Sequence, residues 1–223
     1  MGAGATSISL GASIGAGASI GIGDTLLVIQ MQDATLDSSN NANYGDGAAS
    51  GTADGSGSTA IRQTGLYEFV VATSAVGTGG GTVKLATALT HAYNDGTNRS
   101  FQVVRVPRYG DVTLTGTVTA AAWNGLAGGI VAMNVNGTLN FGVNSINVNG
   151  QGFRGGDDSG GTATGSGDAS TDYVVTTGNR WGAKGEGIAG GPNVGTMPNT
   201  DGYPAGSLAR GAPGNGGGGW QRW

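Results

Sequence analysis

The chain has 223 residues, of which 48 are glycine, about three times the usual share of ~7 %. Ten Lys and Arg against fourteen Asp and Glu give a formal charge of −4, so no basic stripe exists to release counterions and a nucleic-acid partner is not expected. With no cysteine and one histidine, disulfides, thiolate catalysis and Cys- or His-clustered metal sites are excluded.

Residues 1–23 are uncharged. They lack the basic and compact apolar regions of a signal peptide, and their glycines and serines do not suit a membrane helix. An exported chain of this kind is then the mature form, or begins inside a longer precursor. From residue 8 to 22 the even positions read Ile8, Leu10, Ala12, Ile14, Ala16, Ala18, Ile20 and Ile22, and the odd positions are all Ser or Gly. A period of two predicts a strand with one buried face. As a helix the segment would lose about 1 kcal/mol at each glycine. At about 3.3 Å per residue the strand would reach ~50 Å, too long for an ordinary small domain. The expectation is an N-terminal β-arm, 1–23, that adds to the open sheet edge of a neighbouring copy. Ile8, Leu10, Ile14, Ile20 and Ile22 would fill alternate pockets there. The alternative is an edge strand or Gly/Ser leader packed on its own chain.

A β-rich core is predicted over 24–156. Leu26–Met31 is a continuous apolar run that reads as a strand buried on both faces. A Gly/Ser/Asn/Asp loop follows over 38–60, and strand-like runs resume at Leu66–Ala72, Thr82–Leu89 and Phe101–Val106, where Pro107 ends the last. From 112 to 150 short alternating runs are separated by Asn-Gly turns such as Asn136-Gly137. That pattern indicates an all-β meander, sandwich or β-solenoid-like core. No strict repeat length emerges, and stacked asparagines would form ladders if successive turns pile up. Residues 157–223 are glycine-rich, with one clear strand at Tyr173–Thr177. They read as loops or polyproline-II-like chain packed on the core.

Catalytic constellations are missing from the sequence. His91 has no nucleophile elbow nearby, Glu68 lies inside an apolar strand, and Lys84 and Lys184 follow no P-loop pattern. The expectation is a non-enzyme without a cofactor. Structural calcium is the one metal with a chemical case, because oxygen-rich loops carry Asp46, Asp54, Asp95, Asp157 and Asp158; Asx turns use the same residues. Phe153, Arg154, Gly155 and Gly156 form the sharpest short motif, in which Arg154 would pair with Glu186 or an aspartate beneath the glycine tract. Trp123, Tyr109 and Trp181 would offer a stacking platform for a glycan, or pack in cores and turns.

The strings DTLLVIQMQDA, YGDG, GLYEFVVA, FQVVRVPRYGDVTLTGTVTAAAWNGLAGGIVAMNV, NVNGQGFRGG, GAKGEGIAGG and RGAPGNGGGG occur in this order. Over about 24–219 they resemble large glycine-rich proteins of bacterial cell surfaces, in which a GFRGG-ending module precedes a glycine tract. The resemblance implies an exported, β-rich, surface-associated protein and no particular activity. This chain departs from the pattern by stopping soon after the glycine tract, which suggests a stand-alone subunit. The expected function is that of an extracellular or cell-surface structural subunit. It would polymerise with other copies of itself into a fibre or surface layer through the N-terminal arm. A surface adhesin or glycan-binding module is the alternative, and an ice-binding protein a weaker one. No membrane span is expected.

Overall fold

A computed structural model of the chain describes residues 1–15, 17–36, 58–96, 98–153 and 186–190. These residues form eleven strands and no helix, an all-β chain. The strands are β1 (Ser7–Leu10), β2 (Thr25–Gln32), β3 (Thr35–Leu36), β4 (Ser58–Ala60), β5 (Tyr67–Val71), β6 (Gly81–Lys84), β7 (Ser100–Val106), β8 (Arg108–Tyr109), β9 (Val112–Thr113), β10 (Asn134–Val135) and β11 (Leu139–Asn140). The chain divides into two compact units that interleave in sequence. The first comprises 1–30, 65–94 and 101–152, and the second 31–64, 95–100 and 153–223. The 1–23 segment is therefore part of the first unit, beside 65–94.

In the first unit β2 lies between β5 and β7. The β2–β5 register runs antiparallel from Thr25↔Val71 to Ile29↔Tyr67. The apolar run of β2 is buried at Leu26, Leu27 and Val28 because both of its faces are covered, as its unbroken hydrophobicity requires. A bridge between Ala72 and Leu85 ties β5 to β6, and β6 pairs antiparallel with β1. Ile8, Leu26, Val28, Val70, Ala72, Val76, Val83, Leu85, Leu89 and Tyr93 form one apolar core.

The N-terminal segment departs from the expected arm. Only Ser7–Leu10 is regular strand, and its partner is β6 of the same chain. The pairing extends outward from β1. The Gly4 N–H donates to the Leu89 carbonyl at 2.8 Å, and the Tyr93 N–H donates to the Met1 carbonyl at 2.9 Å. Ser13 bonds Thr78, and Ile20 pairs with Val76. Two causes are visible. The 81–93 stretch has a matching alternation at Val83, Leu85 and Leu89, and Gly15 and Gly17 take positive φ (71° and 52°), which breaks the extended chain after β1. Of the five arm residues Ile8 is 1 % exposed, Leu10 and Ile20 are half-buried against the core, and Ile14 and Ile22 are exposed, Ile22 at 75 %.

The 107–151 region pairs with itself in parallel. Arg108 faces Asn134, Val112 faces Leu139 and Val118 faces Ile146. The offsets grow from 26 to 27 to 28 residues along these pairs. Main-chain bonds run across from Asn134 to Pro107, Asn136 to Tyr109, Leu114 to Asn140 and Trp123 to Gln151, each 2.8–2.9 Å. The asparagines are turn-makers in place of the expected ladders. Asn124 Oδ1 accepts the N–H groups of Leu126 and Ala127, Asn140 Oδ1 that of Gly142, and Asn147 Oδ1 that of Asn149. Asn144 alone reaches across, donating from Nδ2 to the Leu114 carbonyl at 2.7 Å.

In the second unit β3 pairs antiparallel with β4. Its described interior is polar. The buried Asp33 carboxylate meets the Arg99 guanidinium at 3.3 Å and accepts the Gln63 N–H at 3.1 Å. The main-chain N–H groups of Asp33 and Ala34 both donate to the Ile188 carbonyl.

Candidate functional site

The most distinctive surface lies on the second turn of the parallel region. In a parallel ladder alternate residues direct their main-chain groups to opposite neighbours. The Asn134 and Asn136 N–H groups bond back to Pro107 and Tyr109, and the carbonyls of Thr138, Asn140 and Ser145 accept from Val112, Leu114 and Val118. The main-chain groups of Val135, Leu139 and Ile146 therefore point outward and meet no partner among the described residues.

Side chains tell the same story. Leu114 and Ala120, on the first turn, are buried, whereas Phe141 and Val148, at the matching level of the second, are each 43 % exposed. Val143 beside them is fully exposed. The second turn thus covers the first and is itself left uncovered among the described residues. Isolated apolar residues on a surface need no explanation, but a row of them along an unpaired strand edge is a template on which a further strand can pair.

A second feature of the first unit is a groove of about 290 Å³ lined by Asp24, Arg105, Pro107, Arg108 and Tyr109 among others. Asp24 Oδ2 accepts from Arg105 Nε at 2.6 Å and from the Gly21 N–H at 2.7 Å. The Arg105 hydrogen bond, then the Gly21 N–H, hold the Asp24 carboxyl below the usual carboxylate range. The sequence signal for this groove is the placing of Arg105 and Arg108, two of the ten basic residues, within four positions. Motif reading passed over it.

Deeper in the same unit, Glu68 holds a turn together. Its carboxylate accepts from the Thr90 and His91 N–H groups at 2.9 and 3.0 Å and from the Tyr93 hydroxyl at 3.2 Å. Burial pushes the Glu68 carboxyl up, but these three donors outweigh it and leave the group below its ordinary value. Burial, and then the Glu68 charge, drive the Tyr93 phenol well above its ordinary value. His91 gives its main-chain N–H to this knot, whose geometry is that of a structural clasp.

The remaining predicted residues are scattered. Trp123 is 5 % exposed, so its ring packs inside and offers no face to a sugar, while Tyr109 is 43 % exposed on the groove. Trp181 lies outside the described residues. Asp95 is exposed in its loop; Asp46, Asp54, Asp157 and Asp158 lie outside the described residues. No group of three or more His, Asp or Glu placed to hold a metal occurs among the described residues. Phe153 is half-buried and Glu186 is buried, but Arg154, Gly155 and Gly156 lie outside the described residues, and with them the expected pairing. Among the described residues no helix is long and apolar enough to cross a membrane.

No protein-family model, curated protein or solved structure matches this chain.

Proposed function

We propose that this protein is a non-enzymatic extracellular structural subunit that assembles with copies of itself into a fibre or surface layer by strand addition. The surface we assign to that role is the outer edge of 134–148, in place of the N-terminal arm, which finds its partners within its own chain. The region 107–151 reads as two turns of a β-solenoid, each about 26–28 residues long. What supports the reading is the coincidence of unpaired main-chain groups at Val135, Leu139 and Ile146 with the apolar row Phe141, Val143, Ile146 and Val148. The occupant is a second copy. Its 112–118 segment already pairs with this sequence in register within the chain, and its Thr113 main-chain groups alternate away from its own ladder. The resemblance to glycine-rich surface proteins agrees with an extracellular location.

Negative-stain microscopy and sedimentation of the purified protein test this. The native chain is expected to form filaments or sheets, and the double variant Phe141→Lys, Ile146→Lys to remain monomeric with an unchanged thermal midpoint. A native chain that stays monomeric at high concentration, or a double variant that assembles as the native does, overturns the proposal.

A further inference from the structure

The groove beside β8 has features of a ligand site that the assembly reading does not use. Arg105 meets Asp24 through Nε alone, so its two terminal nitrogens have no hydrogen-bond partner among the described residues while the guanidinium is held in place. A cation fixed by one carboxylate and left with an open N–H edge is prepared for a second, bidentate carboxylate. Arg108 also lines the groove and makes no ion pair among the described residues, so the local balance is two positive charges against one negative, in a chain of net charge −4. The backbone here is fixed, because the Pro107 and Tyr109 carbonyls accept from Asn134 and Asn136, both at 2.9 Å. Along extended chain, Arg105, Pro107 and Tyr109 fall on one face. Tyr109 thus adds an exposed ring next to the held guanidinium. The volume, about 290 Å³, lies at the small end of ligand pockets, which run from about 300 to 1,000 Å³, and suits a single ring.

We infer that this groove binds an acidic sugar, a uronate residue of a glycan, with the carboxylate on Arg105, Arg108 adding a second positive charge to the groove, and the sugar ring against Tyr109. A protein carboxylate would satisfy the arginines equally well, but it would leave the flat Tyr109 face and the ring-sized space beside it unused.

Calorimetric titration of the full-length protein with a galacturonic acid trisaccharide, its methyl ester and an Asp/Glu-rich peptide tests the inference. All are run below the concentration at which the chain associates. The acid trisaccharide is expected to bind at least tenfold more tightly than the ester or the peptide, and to weaken as salt rises. Arg105→Lys keeps the Asp24 pair but loses the bidentate edge, and should weaken binding about tenfold. Arg108→Gln and Tyr109→Ala, both on exposed side chains, should each weaken it at least threefold, with unchanged circular dichroism. Equal binding of acid and ester, equal binding of the peptide, absence of binding by all three, or indifference to these substitutions in folded variants overturns it. The titration reads monomers, so its result stands apart from whether the chain polymerises.

Discussion

Gln102 and Gly128 hold each other through two hydrogen bonds. Gln102 Nε2 donates to the Gly128 carbonyl at 3.0 Å, and the Gly128 N–H donates to Gln102 Oε1 at 2.9 Å. Gln30 does the same with Asn94, at 2.7 Å in both directions. In each case a buried side-chain amide stands in for a peptide group and completes a rung that the main chain leaves empty. Replacing Gln102 by Leu fills similar space but orphans a donor and an acceptor, each costing about 1–3 kcal/mol. Urea unfolding should show this loss for Gln102→Leu, and a much smaller one for an exposed control such as Thr113→Val.

The own-chain docking of the N-terminal segment has a direct consequence. Ile8 sits in the core, so Ile8→Ala should cost about 2–5 kcal/mol, while Ile22→Ala, on an exposed side chain, should be near neutral. Gly80 lets the segment approach, because a Cβ there would meet the Leu10 carbonyl oxygen at 2.6 Å and its φ is +91°. Gly80→Ala should therefore destabilise the fold and speed hydrogen exchange at the Ser13 amide. An arm designed for a partner would show the reverse, with Ile8→Ala harmless to the monomer.

Glu68 gives the fold an acid limb. Its folded value lies below that of the unfolded chain, so folding favours the ionised form. That stabilisation is complete above the unfolded value and is lost as pH falls through the folded one. Glu68→Gln should be less stable than the native chain at pH 7, with the gap closing as pH falls below about 4. Urea midpoints at pH 7, 5, 4 and 3 measure it, and a gap that widens in acid would contradict the assignment.

Asn144 supplies one side-chain tie between the two parallel turns, beside Asp111, whose Oδ1 accepts the Thr138 N–H at 2.7 Å. Losing its bond to the Leu114 carbonyl should cost about 1 kcal/mol in Asn144→Ala, and it should raise exchange at the Leu114 and Val118 amides before the β2 amides respond. Uniform exchange across both regions would mean that the turns do not open separately.

The parts of this fold legible in the sequence are those where hydrophobicity is continuous. Leu26–Met31 announces β2 because a strand covered on both faces admits few polar residues, and Phe101–Val106 announces β7 by its aromatic and β-branched residues ended by Pro107. The alternation over 8–22 specifies which side chains turn inward but is silent about the partner, and so it was compatible with both a foreign sheet and β6. Its length also misled, since glycines at every other position supply the positive φ that ends a strand. The parallel register was hidden by its drift. Extra residues around Gly137 and Gly142 lengthen the second turn, and no fixed repeat survives them. The glutamine clasps leave no trace in a pattern of apolar and polar letters, because a buried Gln30 in β2 looks like an interruption.

The parallel course of 107–123 and 133–151 has one more effect. Strands that all run the same way make a stack with two unlike ends, so joining the 134–148 edge of one copy to the 112–118 segment of the next would be a heterologous contact, one that does not pair two copies about a two-fold axis. Growth by the proposed route would yield a thread with a direction: subunits would arrive at one tip onto a surface that the opposite tip lacks, and the two tips would be expected to elongate at different speeds.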